Sequence, residues 1–385
     1  MTKPAPLAGI KVVELARILA GPWAGQVLAD LGAEVVKVES PEGDDTRRWG
    51  PPFVENADGS RDAAYFHAAN RGKRSVIADF RKEEGRATVR ELVREADVVI
   101  ENFKLGGLAK YGLDYASLSA LNPRLVYCSI TGFGQDGPYA ARAGYDFIIQ
   151  GMGGIMDLTG DPAGAPQKIG VAYADILTGL YATIGIQAAL IQREATGRGQ
   201  QIDMALLDVM VGTLANQAMN YLVSGQAPKR LGNAHPNIAP YEAFPTADGW
   251  LILAVGNDAQ FARFARLVGL EEREEWRSNA GRVAGRAELS RAVAERTGRW
   301  TRDDLLAALE KEGVPAGPIN DVAQALADPQ VVARGMVLEM ERADGSRVKG
   351  LRTPIRFSDA ELALGRASPE LGAPGPEEPE RGNGD

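Results

Sequence analysis

Residues 10–40 read IKVVELARILAGPWAGQVLADLGAEVVKVES, and this stretch decides the fold. IKVVEL (10–15) is a short Val-rich run of the kind that forms a strand buried on both faces. GPWAGQVLADLGA (21–33) is rich in helix-forming Ala and Leu, with Pro22 near its start, where the missing N–H is harmless. EVVKVES (34–40) is a second buried strand. Strand, helix and strand within roughly 30 residues make a βαβ unit, which predicts a parallel sheet.

The alternation continues outward. KRSVIADF (73–80) reads as a third strand and EEGRATVRELVREA (83–96) as a helix. DVVIENF (97–103) is a further strand, and RLVYCSITGFG (124–134) repeats the strand-to-loop pattern. The fold class expected is therefore α/β: a Rossmann-like, mostly parallel sheet with helices on its faces and ligands at the carboxyl ends of its strands. The segment from about 195 to 225 reads as helical. A turn-rich stretch, SGQAPKRLGNAHPNIAP (224–240), marks a change of character. YEAFPTADGWLILAVGND (241–258) predicts a hairpin turning at Ala247–Gly249, with helices after it. These signals divide the chain into a large α/β domain (1–225), a smaller α+β domain (226–325) and a segment returning to the large domain (326–365). The tail, 366–385, is rich in Pro, Gly and Glu and is expected to be disordered.

Composition narrows the function. At 385 residues the chain exceeds one ordinary core. With 43 basic against 51 acidic residues, its net charge of −8 argues against a nucleic-acid partner, while leaving room for a local basic pocket. Cys128 is the only cysteine, so neither an internal disulfide nor a Cys-rich metal site can form, and an inert buried thiol is expected. The two histidines, His67 and His235, are too few for a His-rich metal centre, and no metal is expected. The N-terminal residues show no signal-peptide core, and the longest apolar run falls short of the ~20 residues that span a bilayer. A cytoplasmic protein with no membrane partner is the expectation.

VAYADILTGLYATIGIQAALI (171–191) is the segment richest in chemistry. Asp175 opens a long apolar helix expected to be buried, and a carboxylate there must be paired, solvated or put to use. It could serve as a first-turn cap or as a reactive group, and the positive end of the helix dipole would stabilise its ionised form. Basic and amide groups at strand ends (Arg17, Lys73, Arg74, Arg81, Asn102, Lys104, Lys110) suggest a site for an extended phosphorylated ligand. GFGQDG (132–137) matches a dinucleotide fingerprint, but Pro138 and ARAGYD after it are a poor helix start, which makes a nicotinamide oxidoreductase a weak reading.

The chain resembles the family III CoA-transferases through LAGIKVVELARILAGPWAGQVLADLGAEVVKVE, NRGKRSVIADFRKEEGR, ADVVIENFKLGGLAKYGLDY, GYDFIIQGMGGIMDLTG, ADILTGLYATIGIQAAL and TGRGQQIDMALLD. The likeness runs from about residue 7 to 362 in the family's order; the Pro-rich end departs from it. The resemblance implies that Asp175 attacks an acyl-CoA thioester, giving an aspartyl anhydride and then an aspartyl-CoA thioester that an acceptor carboxylate resolves. It implies CoA contacts at Ile18, Leu19, Ala78, Arg81, Asn102, Phe103, Lys110, Thr131, Gly132, Phe133 and Gly134. It also implies a substrate pocket shaped by Trp49, Tyr145, His235, Gly256 and Asn257, with Arg47, Arg48 or His235 meeting a second carboxylate. Backbone N–H groups of GMGGIM (151–156) or AVGN (254–257) are candidate oxyanion donors.

Coenzyme A and its acyl esters would be substrates, with no tightly bound cofactor, and the assembly an interlocked homodimer. GNAHPNIAPYEAF points to the subgroup using succinyl-CoA and small dicarboxylic acids. Racemases of the same fold pair the Asp with a His in Gly-His-Asp; here Gly144-Tyr145-Asp146 favours transfer, since Tyr is a poor proton shuttle near neutrality. A CoA-ester binding protein without activity is the remaining alternative.

Overall fold

In the computed structural model the described residues are 3–56, 58–342 and 345–373. They form two compact units: the described residues within 3–155, 168–219 and 329–373, and residues 156–167 with 220–328. The expected unbroken large domain of 1–225 thus differs: residues 156–167 leave it to join the second unit.

The first unit is built on a six-stranded sheet of β1 (Lys11–Glu14), β2 (Glu34–Glu39), β3 (Lys73–Ile77), β4 (Val98–Glu101), β5 (Val126–Thr131) and β6 (Gln201–Ala205). The spatial order is β3-β2-β1-β4-β5-β6, and every pairing is parallel. The chain runs outward in one direction from β1 and in the other from β4, so a crevice opens where their carboxyl ends part. β6 corrects the all-helical reading of 195–225: QIDMA joins the sheet edge beside β5, and helices start only at Leu206. Pairing to a preformed edge overrode a composition that reads as helix.

Four helices matter to the site: α1 (Ala20–Asp30), α2 (Glu83–Arg94), α3 (Asp146–Met152) and α4 (Tyr173–Thr196). α1 and α4 share a core with the sheet, where Ala24, Leu28, Ile100, Cys128, Ala182 and Ile186 are buried together. Val89 and Val93 of α2 belong to a second cluster with Val13, Val36 and Val99. A Cβ on Gly179 would stand 2.7 Å from the Ala20 carbonyl oxygen, so glycine lets α4 lie against the start of α1. α4 is not buried all round: Leu180, Tyr181, Ile184 and Ile191 are exposed, Ile191 by 75%. At 24 residues it is also longer than the sequence suggested, and apolar enough by length and composition to cross a membrane, although its inner face belongs to the core.

A buried ionic network lies under β1. Glu14 pairs with Lys37 (3.0 Å) and Lys73 (2.8 Å), and Lys37 with Asp44 (2.9 Å), with all four side chains removed from solvent. Arg47 bridges Glu39 and Asp62 and stacks 3.7 Å from the Phe66 ring centre. Arg47 is therefore spoken for and is not a free receptor for a substrate carboxylate, as the sequence had allowed.

The start of the tail is packed rather than disordered. Gly72 N–H donates to the Arg366 carbonyl (3.1 Å), Gly372 N–H donates to Ser75 Oγ (3.0 Å), and Ala367 and Ser368 are buried. Composition favoured disorder, but specific backbone hydrogen bonds and burial decide these residues; 374–385 lie outside the described part.

The second unit holds β7 (Tyr241–Thr246) and β8 (Gly249–Ala254) as an antiparallel hairpin, with β9 (Ala316–Pro318) on the other side of β8. Phe244, Leu251, Phe264, Trp276 and Leu305 form its core.

Removing Lys37 leaves buried Asp44 without its cation and leaves Glu14 with Lys73 alone. Lys37→Met is expected to lose about 3–5 kcal/mol, read as a lowered urea midpoint of the purified protein.

Candidate active site

A cleft of about 470 Å³ opens at the point where the strand order reverses. Its walls come from the loop after β1 (Arg17, Ile18, Leu19), the loop after β4 (Asn102 to Lys110) and the end of β5 (Thr131, Gly132). Tyr145, Asp146 and Asp175 complete it.

Asn102 staples the two parting strands. Its side chain accepts from Arg17 N–H (2.9 Å) and donates back to the Arg17 carbonyl (2.6 Å). Ile18 then adopts φ 72°, a genuine outlier for a β-branched residue. Buried Asp44 enforces it, taking the Ile18 N–H at 3.2 Å while it also accepts from Thr46 N–H and Oγ1 and pairs with Lys37. The ionic network under the sheet thus sets the shape of the cleft wall.

Asp175 occupies the third position of α4, in its first turn. The helix carries no side-chain cap of its own. Asp146 supplies one from α3: its Oδ1 accepts from Ala174 N–H at 2.8 Å and Asp175 N–H at 3.4 Å. Buried Gln150, one turn along α3, donates to the other oxygen at 2.8 Å, and its own carbonyl accepts from Ile169 N–H. The two loops can approach because Gly132 and Gly144 meet backbone to backbone; a Cβ on Gly132 would fall 2.5 Å from Gly144 Cα.

The electrostatics reverse the expectation that the dipole would favour the anion. Burial, and next the Asp146 charge, push the Asp175 carboxyl up from 3.8 to about 7. The first-turn N–H groups of Ala174 and Asp175, which could have offset this, are given to Asp146. The Tyr65 phenol is also held above its ordinary value, by burial and then by Asp175, Asp146 and Asp44.

Among the sequence-predicted residues, Ile18, Leu19, Asn102, Phe103, Lys110, Thr131, Gly132, Tyr145 and Asp175 come together in this one cleft. Phe103 sits 6.0 Å from the Phe80 ring, with Arg17 over its own face. Lys104, Lys110 and Arg142 line the cleft without an ion-pair partner among the described residues, while Arg17 pairs with Asp45. Others are placed apart from its lining. Ala78 is buried, with its N–H on the Glu39 carbonyl, and Arg81 lies in solvent paired with Asp79. Phe133 packs on Tyr139, and Gly134 N–H turns back to Thr131 Oγ1. Lys73 and Arg74 begin β3 rather than end it, and Lys73 is absorbed by Glu14.

Trp49 is 47% exposed, so ordinary core packing does not explain it; it meets Tyr65 edge-on at 5.3 Å. Gly153 is a packing glycine against Met210, where an added Cβ would fall 2.3 Å from Cγ. The second unit holds the remaining three. His235 Nδ1 accepts from Asn237 N–H and its ring meets Tyr241. Gly256 N–H donates to Gln260 Oε1, and Asn257 caps the helix Asp258–Val268 by accepting from Gln260 N–H. Sequence reasoning missed Tyr65, Arg142 and Gln150. Only Gln150 carried a signal, four residues after Asp146 and thus on the same helical face.

A partly buried carboxylate at the switch point of a doubly wound sheet, beside cations without ion-pair partners among the described residues and beside aromatic rings, makes a cleft suited to a charged, extended ligand. The chain matches the family described as CoA-transferase family III over residues 7–374, and it belongs to that family. It is 61% identical to a succinate–glutarate CoA-transferase of Agrobacterium fabrum, over 95% of this chain and 93% of that one. A human succinyl-CoA:glutarate CoA-transferase is 41% identical over 95% of this chain and 84% of its own. The crystal structure of a CaiB/BaiF family protein from Brucella suis superposes with a TM-score of 0.87 at 66% identity, covering 96% of this chain and 97% of that one.

The raised Asp175 value has a measurable consequence. Between pH 3.8 and about 7 the folded state holds the proton more tightly than the unfolded one, so this group's contribution to stability falls as pH rises through that window. Asp175→Asn is therefore expected to raise the thermal midpoint by a few degrees at pH 8 and to leave it unchanged near pH 4, measured by calorimetry.

Proposed function

We propose that this CoA-transferase moves CoA from succinyl-CoA to a small dicarboxylic acid of the size of glutarate. The observation that carries the chemistry is Asp175, a carboxylate at the mouth of α4 with its helix donors already engaged and a cleft before it. A carboxylate oxygen of Asp175 attacks the thioester carbonyl carbon, the C–S bond breaks, and CoA leaves as the thiolate that carries the electron pair. The thiolate attacks the aspartyl carbonyl, releasing the donor acid as its carboxylate. The acceptor carboxylate then displaces CoA again through a second anhydride, and the thiolate closes on the new acyl group. No net proton moves, so no proton shuttle facing Asp175 is needed; Tyr145 where racemases carry His agrees with this.

CoA fits as a passing substrate. Lys104, Lys110 and Arg142 are the cations open to its phosphates, and Phe103 with Phe80 offers a surface for the adenine or the pantetheine arm. The dicarboxylic acid rests on the names of the relatives, whose printed activities are succinate–glutarate and succinyl-CoA:glutarate transfer. The protein acts as a homodimer, interlocked as the resemblance implies. The exposed apolar side chains of α4 support an assembly, as do Leu222 and Val223 of the helix Ala215–Ser224, exposed by 71% and 82%. The cytoplasm, where CoA esters are made and used, is its proposed place.

Initial rates with succinyl-CoA and a panel of carboxylic acids test the substrates: glutarate is expected to be a good acceptor, and transfer to monocarboxylates alone would overturn the dicarboxylate reading. Asp175→Ala is expected to lose at least about a thousandfold in kcat. Hydroxylamine added during turnover should convert Asp175 to its hydroxamate, found by mass; a label on any other residue rejects the nucleophile. Analytical ultracentrifugation should return twice the chain mass.

A further inference from the structure

We infer that Asp146 is the positioning residue of the nucleophile: it takes two of the N-terminal donors of α4, those of Ala174 and Asp175, and so leaves the half-buried Asp175 carboxylate uncapped and lining the cleft. This rests on Asp175 carrying the acyl group, and adds what makes an ordinary aspartate reactive enough to do so.

A carboxylate in the first turn of a long helix has a natural resting state, folded over the free N–H groups there. In that state it is a stabilised anion and a poor nucleophile. In this protein the N–H groups of Ala174 and Asp175 are both directed to Asp146 Oδ1, at 2.8 and 3.4 Å. Asp146 cannot turn away, because its second oxygen is held by Gln150 Nε2 at 2.8 Å. Gln150 is fully buried and anchored in turn by the Val171 carbonyl and the Ile169 N–H. The segment entering α4 is thus clamped from both sides by one Asp-Gln pair on α3.

The same pair separates the roles of two neighbouring carboxylates. Asp146 is consumed by three N–H donors, whereas no hydrogen bond to the Asp175 side chain is recorded among the described residues. A like charge beside Asp175 and the loss of its solvent raise its basicity, and a more basic carboxylate is the stronger nucleophile toward a thioester. Asp175 and Asp146 in turn help to hold the Tyr65 phenol above its ordinary value, after burial. The cleft cations Arg17, Lys104, Lys110 and Arg142 oppose the effect, and would do so less once a CoA ester's phosphates neutralise them. No step requires Asp146 to touch substrate.

The test is the pH dependence of kcat/KM for succinyl-CoA. Asp146→Asn keeps an oxygen to accept the Ala174 N–H but removes the charge. Its acid limb is expected to move down by about one pH unit, with kcat reduced roughly tenfold and KM for the CoA ester changed less than twofold. Asp146→Ala, which also removes the cap, should lose a further tenfold in kcat. A profile for Asp146→Asn that superimposes on the parent's would overturn the proposal, as would a loss confined to KM.

Should Asp146→Asn fail to fold, the unmodified protein still decides. With 13C-labelled aspartate carboxyls, one resonance should titrate near neutrality and vanish in Asp175→Asn; titration of that resonance at the ordinary carboxylate value refutes the inference. Failure here is distinct from failure of the nucleophile itself, since Asp175→Ala and hydroxylamine trapping report on the latter whatever the profile shows.

Discussion

The N-terminus of the helix Tyr173–Thr196 has N–H groups that must be satisfied at the edge of a cleft, and Asp146 takes two of them. Much of the site follows from that constraint. Because the donors go to a residue on another helix, the aspartate inside the turn is left without them. Because Asp146 is itself held by buried Gln150, the arrangement is fixed rather than one of several rotamers. Burial and a neighbouring charge then move Asp175 toward neutrality, against the pull of the helix dipole.

The opposite wall depends on charges that never meet the ligand. Glu14, Lys37 and Asp44 are buried together beneath the first strands, and Asp44 extends the network to the backbone of Ile18. An ionic cluster of this kind adds little stability against a well-packed apolar core. Its use here is geometric: it holds a β-branched residue at φ 72°, beside the strand ends that Asn102 ties together. That wall of the cleft is therefore shaped by the protein's own contacts, which lowers the ordering that binding a ligand there would need.

The long helix has two unlike faces. Ala182, Ile186 and Ala189 enter the core, while Leu180, Tyr181, Ile184 and Ile191 stand exposed in the isolated chain. An apolar outer face of that size is more than scattered surface side chains would give.

The alternation of strands and helices through residue 131 was legible because the parallel strands are short runs rich in Val and Ile and the helices between them carry an apolar face. The hairpin 241–254 was equally plain from the turn expected at Ala247–Gly249, which the structure places between Thr246 and Gly249. Asp175 and the cleft residues from Ile18 to Gly132 were legible as motifs, each a short run with its own signature. Residues 201–205 were not, since an edge strand takes its identity from the neighbour it pairs with. Nor was the packing of 366–373, which rests on single hydrogen bonds to Gly72 and Ser75. The sequence by itself determined the order of elements, the sheet class and the presence of a carboxylate at a helix mouth, because these depend on local periodicity and residue type. Only the tertiary structure decided the protonation of that carboxylate. The groups that set it, Asp146 above all, lie 29 residues away in the chain and act through contact and burial.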